Sequence, residues 1–285
     1  DCTVVGANTV TLTVTDNNNN VSTCTATVTV EDNVDPVAIC QDIIVQLDGT
    51  GTAVITPADI DNGSNDACGI ASLSIDQDTF TCANSGETVT LTVTDVNGNV
   101  STCTAVVGVE DNVDPTPICQ DITVQLDASG NVSIIADDID NGSFDNCGTV
   151  TLSADITDFD CSDVGTNTVV LTVEDSSGNT ATCTATVTVE DIVAPIAICQ
   201  DITVQLDASG NASITTGDID NGSSDNCAIA SLALDITAFT CADVGVNPVV
   251  LTVTDVNGNT ASCGANVTVE DNVDPVAICQ DITVQ

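Results

Sequence analysis

Apolar and polar residues alternate along this chain with a period of two. Across 168–175, Val169, Leu171 and Val173 face one way while Thr168, Val170 and Thr172 face the other. Cys183, Ala185, Val187 and Val189 alternate with Thr184, Thr186 and Thr188, and Ile122, Val124 and Leu126 alternate with Thr123 and Gln125. Successive side chains on a strand point to opposite faces, so this pattern predicts strands with one buried face. Valine and threonine suit such a surface because β-branching restricts χ1 there at little cost. Asn97-Gly98 and Asn257-Gly258 supply the tight turns that join two of these runs. No helical period is present. Seven short strands in about 80 residues predict an all-β sandwich of the immunoglobulin type.

The pattern repeats. CQDI recurs at Cys40, Cys119, Cys199 and Cys279, and DIDNGS at Asp59, Asp138 and Asp218. A TVTLTVTD-like run ends at Asp16, Asp95, Asp175 and Asp255, and VEDNVDP or a variant starts at Val30, Val109, Val189 and Val269. A fixed period of this size marks tandem modules. The register gives the second half of one module at 1–33, whole modules at 34–113, 114–193 and 194–273, and the first strand of another at 274–285. On this reading the sequence is a window on a longer repetitive protein. Phe80, Phe159 and Phe239 fall at the same place in each whole module and are expected to fill its core. That core is thin, and small thin-cored domains usually need covalent staples.

Fifteen cysteines supply them, at recurring gaps of 28, 14, 22 (once 21) and 16 residues. Four cysteines per module at fixed spacing form a disulfide framework, which belongs to oxidising, extracellular settings. Four cysteines allow three connectivities. The expected strand order favours Cys40–Cys103, Cys119–Cys183 and Cys199–Cys263, with Cys68–Cys82, Cys147–Cys161 and Cys227–Cys241 as the second bridge of each module. Cys2, Cys24 and Cys279 are then left over.

The cysteine before the first strand, the Asp145-Asn146-Cys147 loop and the run VGTNTVVLTVEDSSGNTATC from Val164 to Cys183 resemble the HYR family of immunoglobulin-like modules. The resemblance covers the whole chain. It is strongest to versions strung in tandem in very large bacterial surface adhesins and filaments. It implies an extracellular structural or adhesive module without catalytic residues. The aromatic usual in the strand before the hairpin is replaced by Leu91, Leu171 and Leu251, so the core must pack differently.

Charge changes the picture most. The chain has 43 Asp and Glu and no Lys, Arg or His, a formal net charge of −43. In a sandwich, VEDNVDP ends the last strand and enters the linker, DIDNGS occupies a loop at the pole where the preceding linker arrives, and the Asp closing the TVTLTVTD run sits at a turn of that same pole. The first junction then gathers Glu31, Asp32, Asp35, Asp59, Asp61, Asp66 and Asp95. The second gathers Glu110, Asp111, Asp114, Asp138, Asp140, Asp145 and Asp175. The third gathers Glu190, Asp191, Asp218, Asp220, Asp225 and Asp255. Calcium takes six to eight oxygen ligands in flexible geometry, and all-oxygen sets favour hard ions. These acids are therefore candidate calcium ligands, and the linkers resemble the acidic linkers of cadherins. Asp-Asn-Gly runs are also ordinary turn formers. At 190–195 the linker has lost one Asn and one Asp, which predicts weaker binding there.

Several functions are excluded or disfavoured. Nucleic-acid affinity rests on Lys and Arg neutralising phosphate, so neither nucleic acid nor an anionic membrane surface is an expected partner. No His, Lys, Arg, Tyr or Trp is present to serve as base, oxyanion donor or sugar platform, and no enzymatic activity is expected. Sequons at Asn20, Asn62, Asn99, Asn131, Asn141, Asn211, Asn221 and Asn266 are candidate glycosylation positions. Thr9, Thr11, Thr13 and Thr15 line one strand face, which leaves an adhesive face for glycans, ice or another surface as the alternative. The expected role is a shaft segment outside the cell, whose partners are neighbouring modules and identical shafts alongside.

Overall fold

The computed structural model describes residues 1–282. The expected strand at 274–285 lies partly outside them, and 274–282 carry no strand. Alternation becomes β-structure wherever it is strong. The first half-module gives a hairpin of β1 (Gly6–Thr15) and β2 (Val21–Val30). The first whole module contains β3 (Ile43–Gln46), β4 (Thr52–Val54), β5 (Ile70–Ile75), β6 (Thr79–Thr81), β7 (Glu87–Asp95) and β8 (Val100–Glu110). The second contains β9 (Ile122–Gln125), β10 (Asn131–Ser133), β11 (Thr151–Ala154), β12 (Asp158–Asp160), β13 (Gly165–Glu174) and β14 (Thr180–Glu190). The third contains β15 (Ile202–Gln205), β16 (Asn211–Ser213), β17 (Ile229–Leu234), β18 (Ala238–Thr240), β19 (Gly245–Asp255) and β20 (Thr260–Glu270).

In the first whole module a four-stranded sheet runs β3-β8-β7-β5 and a two-stranded sheet pairs β4 with β6. Strands β3 and β8 are parallel, and the other pairs are antiparallel. The third module repeats this with β15-β20-β19-β17 and β16-β18. These are immunoglobulin-like sandwiches. The expected seventh strand is reduced to isolated bridges, Val37 with Asn65 and Cys40 with Asp61 in the first whole module.

Two four-residue helices, α1 (Pro57–Ile60) and α2 (Thr216–Ile219), are too short to leave a period in the sequence. Each is fixed by its cap. The Thr56 N–H and hydroxyl both donate to Asp59 Oδ2 at 2.7 Å, and Pro57 opens the helix. The cap turns Ile60 into the sandwich, where it is fully buried. Phe80 and Phe239 lie in the same cores with Leu91 and Leu251, the positions where an aromatic is usual. Phe159 and Leu171 are buried in the second module.

The chain divides into two compact units. One comprises 1–116, 144–151 and 173–181, and the other 117–143, 152–172 and 182–285. The repeat boundary at 113/114 is therefore not the compact boundary. Two loops of the second whole module belong to the unit that holds the first.

A disulfide from Cys147 accounts for the first of these loops, and the second is tied to the linker by Asn179 Nδ2 donating to Asp111 O. Cys40–Cys103, Cys119–Cys183 and Cys199–Cys263 close within modules, as the strand order favoured. The second set does not. Cys68 pairs with Cys2, Cys82 with Cys147, and Cys161 with Cys227. Each of these joins one module to the next, so the expected Cys68–Cys82, Cys147–Cys161 and Cys227–Cys241 bridges are absent, and each whole module has one internal bridge instead of two. The cause is strand direction. Strand β6 is antiparallel to β4, with Thr81 opposite Thr52, so Cys82 returns to the end of the module where β4 begins. A Cβ on Gly51, in the turn before β4, would lie 3.4 Å from Cys82 Sγ. Cys68 lies beyond the far end of β4. The two cysteines expected to pair thus occupy opposite poles. Cys24, Cys241 and Cys279 are unpaired. Cys241 holds the repeat position of Cys82 and Cys161.

Candidate cation sites at the module junctions

Each junction is assembled from three short segments. The hairpin turn comes first. In the first whole module, Asp95 Oδ1 accepts the N–H groups of Asn97 at 2.9 Å and Asn99 at 2.7 Å, while Oδ2 accepts the Asn99 side-chain amide at 2.7 Å. The turn needs Gly98 in the left-handed region at φ 94°, and Asn19 takes the same position in the β1–β2 turn at φ 64°. Burial works to raise the Asp95, Asp175 and Asp255 carboxyls, yet hydrogen bonds from Asn99, Asn179 and Asn259 and from the turn N–H groups hold all three below the ordinary value. The asparagine that closes the turn also reaches the incoming linker. Asn99 Nδ2 donates to Asp32 O at 3.2 Å, Asn179 Nδ2 to Asp111 O at 3.1 Å, and Asn259 Nδ2 to Asp191 O at 3.0 Å.

The linker is the second segment. Asp111 Oδ1 accepts Val113 N–H at 3.1 Å and Asp191 Oδ1 accepts Val193 N–H at 3.1 Å, which curls each linker around its own carboxylate. The third segment carries Asp145-Asn146-Cys147 or Asp225-Asn226-Cys227. Asp145 Oδ2 accepts Cys147 N–H at 2.7 Å, and Asp225 Oδ2 accepts Cys227 N–H at 2.9 Å. The Asn146 side-chain amide donates to Asp48 O at 3.0 Å and Asp111 Oδ1 at 3.3 Å. Asn226 does the same to Asp127 O at 3.3 Å and Asp191 Oδ1 at 3.2 Å. Gly51 and Gly130 admit this loop. A Cβ would stand 2.7 Å from Asn146 O at Gly51 and 3.0 Å from Asn226 O at Gly130.

In the linker and in the Asp-Asn-Cys segment of the second and third junctions, one half of each group is therefore anchored and the other half is left without a partner. Asp111 Oδ2, Asp145 Oδ1, Asn146 Oδ1, Asp191 Oδ2, Asp225 Oδ1 and Asn226 Oδ1 are buried and accept no hydrogen bond. These are acceptor-only oxygens, and buried polar atoms ordinarily find a partner. In the third junction, oxygens of Asp191, Asp225 and Asp255 lie within 4.8 Å of one another, and Asp191 and Asp255 are only 7% and 2% exposed. In the second, oxygens of Asp111 and Asp145 meet Cys147 Sγ within the same distance. That sulfur is in a disulfide and is no thiolate ligand. The remaining set is carboxylate and amide oxygen, the chemistry of a hard divalent cation. The donor set fits calcium.

The first junction differs. Oxygens of Asp32 and Asp66 come together beside Cys68, but Ala67 stands where Asn146 and Asn226 stand. Asp32 Oδ2 also accepts the Asn97 side-chain amide at 3.0 Å, and Asp66 Oδ2 accepts Cys68 N–H at 2.6 Å.

The other expected ligands are engaged elsewhere. Asp59, Asp138 and Asp218 cap the turns that follow β4, β10 and β16, accepting N–H from Thr56, Ile135 and Thr215. Asp61, Asp140 and Asp220 each accept the N–H of a serine three residues on; the hydroxyls of Ser64 and Ser223 chiefly hold Asp61 and Asp220 below the ordinary range, and at Asp140, against burial, the Ser143 hydroxyl and turn N–H groups do so. Glu31, Asp35, Glu110, Asp114 and Glu190 are exposed. Asp95, Asp175 and Asp255 all spend both oxygens on hairpin turns, and of the three only Asp255 also lies against two other carboxylates, those of Asp191 and Asp225. Asn146 and Asn226 are the oxygens that acid counting overlooks, and the Asp-Asn-Cys triplet is the signal that marks them. Of the sequons, Asn99 has its amide committed to Asp95 and Asp32, whereas Asn62, Asn141 and Asn221 are exposed.

No protein-family model matches the chain. Among curated proteins it is 30% identical over 261 residues to hyalin of Strongylocentrotus purpuratus, covering 87% of this chain and 21% of hyalin. The chain spans about a fifth of that relative's length. The match gives no support to a bacterial source. Among solved structures, the titin fragment I67–I69 aligns over 84% of this chain and all of that one at 9% identity and TM-score 0.43. Protocadherin gamma B7 extracellular cadherin domains 1–4 align over 94% and 84% at 12% identity and TM-score 0.35. The chain is a tandem immunoglobulin-like repeat protein, as its own strand order establishes.

Proposed function

We propose that this chain is a non-enzymatic structural segment of a long extracellular protein, whose modules are joined by disulfides and by calcium at the junctions. The observation that carries this reading is the coincidence, at the second and third junctions, of an inter-module disulfide with buried oxygens that have no donor. Disulfides persist outside the reducing cytosol, which supports an extracellular or cell-surface location. Repeat proteins in which each module contacts its neighbours set length by repeat number, and the junctions set stiffness. Divalent ions would also offset the net charge of −43 and bring identical shafts side by side.

Calorimetric titration of the chain with calcium chloride tests the cation. Binding at two or more sites, with a fall in Tm on chelation, is expected. No heat and no change in Tm at millimolar calcium would return the acidic loops to turn chemistry alone.

A second reading has one observation in its favour. Hydroxyls form ranks across the four-stranded sheet of the first whole module, with Ser74 beside Thr92, Thr92 beside Thr102, and Thr90 beside Thr104. Such a face suits glycans or ice. Loss of adhesion on Thr92→Val and Thr102→Val, with Tm unchanged, would favour it.

A further inference from the structure

The third junction places a disulfide and an oxygen cluster on the same three-residue segment. Asp225 and Asn226 supply two of the partnerless oxygens, and Cys227 is half of the bridge to Cys161. The Cys227 N–H is bonded to Asp225 Oδ2 at 2.9 Å, so Asp225 Oδ1 is aimed by the same residue that the bridge holds. The opposing carboxylates, Asp191 and Asp255, come from the linker and the hairpin turn and are more than nine-tenths buried, with Asp191 Oδ2 lacking any donor. The bridge therefore fixes the loop oxygens against the linker oxygens. The second junction repeats this with Cys82–Cys147, Asp145, Asn146 and Asp111, and its disulfide and Asp111 line one cleft together with Leu47, Ser85 and Ser177.

We infer that each of these junctions is a redox-linked cation site, in which a bound divalent cation protects the inter-module disulfide from reduction and reduction of the disulfide weakens cation binding. This rests on the cation reading above and adds a regulatory property to it. Coupling between two events on one structure is reciprocal: whatever factor the bridge contributes to cation affinity, the cation returns to the bridge. Reduction breaks one S–S bond, takes up two electrons and two protons, and leaves two thiols. With dithiothreitol as reductant, the electrons come from its two thiols, which close to a cyclic disulfide. Once reduced, the loop carrying Asp225 and Asn226 is held to the linker only by hydrogen bonds such as Asn226 Nδ2 to Asp191 Oδ1. A tenfold loss of cation affinity then corresponds to a fall of about 30 mV in the potential of the bridge when the cation is bound.

Cys119–Cys183 and Cys199–Cys263 are the internal controls, because neither cysteine of either pair adjoins a cluster oxygen. The experiment equilibrates the 285-residue chain in dithiothreitol redox buffers, with calcium chloride or with chelator, then alkylates and counts each bridge by mass spectrometry. Calcium is expected to shift Cys82–Cys147 and Cys161–Cys227 to more reducing potentials by about 30 mV and to leave the two control bridges unmoved. Asp191→Asn is expected to remove the shift at Cys161–Cys227 while Cys82–Cys147 retains it. If calcium binds calorimetrically and the four bridges shift alike or not at all, the linkage is overturned and the cation reading stands. If calcium does not bind, both fall.

Discussion

The first and third junctions use the same parts, yet their oxygens end in different states. Each has an inter-module disulfide, a linker carboxylate and a hairpin-turn asparagine that ties the linker down. In the third, Asn226 spends its amide on Asp127 and Asp191 and leaves its own oxygen, with those of Asp191 and Asp225, without a donor. In the first, Ala67 cannot do either, and the Asn97 amide occupies Asp32 Oδ2. Covalent linkage is thus common to all three junctions, while the concentration of bare oxygen is specific to two. Linker composition points elsewhere. The loss of Asn and Asp at 192 and 194 predicts the weakest site at the third junction. Its counterpart Asp114 is exposed, however, and Asn112 donates to Gln46, so neither belongs to a cluster. We expect the first junction to be the weak one.

The comparison breaks most severely if the modules themselves fail. Phe80→Ala and Phe239→Ala should each cost about 3–5 kcal/mol. Both lie in module cores, so the calcium difference between junctions should survive in urea titrations wherever the protein remains folded. Next in size, Cys161→Ser with Cys227→Ser, and Cys2→Ser with Cys68→Ser, should each cost about 2–4 kcal/mol in chelator. In saturating calcium only the first pair should cost more, which denaturation with and without calcium would read. The exchange of the distinguishing residue is smaller. Asn226→Ala should weaken calcium at the third junction about tenfold, or ~1.4 kcal/mol, and Ala67→Asn should strengthen the first. Calorimetry that finds both variants unchanged would remove the asparagine from the site.

The smallest effect should not distinguish the junctions at all. Asp95 and Asp255 close equivalent turns, and both carboxyls lie below their ordinary value because Asn and backbone N–H bonds outweigh burial. A carboxyl depressed on folding contributes stability that is complete above its unfolded value near 4 and is lost as the pH falls through the folded value. Thermal melts in chelator should show Tm falling below about pH 4. A Tm that rises there would contradict the assigned bonds.

The strands were readable because alternation is a local property, and Val89, Leu91 and Val93 or Val249, Leu251 and Val253 bury the face the pattern names. The internal bridges followed from parallel β3 and β8, which bring Cys40 and Cys103 to one pole. The pole of Cys82 is not legible in the sequence, because β4 and β6, three residues each, carry no period from which to read their direction. The acids sort into different roles only in the folded loops, for a related reason. Asp59, Asp61 and Asp66 look alike in sequence, and only the folded loop spends the first on a helix cap, the second on a serine and the third partly on a cysteine N–H. The asparagine oxygens carry no charge, so a search for carboxylates passes over them.

The staggered bridges also set how far this protein can be stretched. Tension applied between positions 2 and 227 need not travel the backbone, because Cys2–Cys68, Cys82–Cys147 and Cys161–Cys227 cut across it, with Cα separations of 5.1, 5.5 and 5.4 Å. Only the segments 68–82 and 147–161 remain in series with them. At about 3.5 Å per residue, the fully unravelled span is about 115 Å, against nearly 800 Å for the same chain without the bridges. Between these two positions unfolding therefore releases far less chain than it would without the bridges, and the bridged path sets the upper limit of extension.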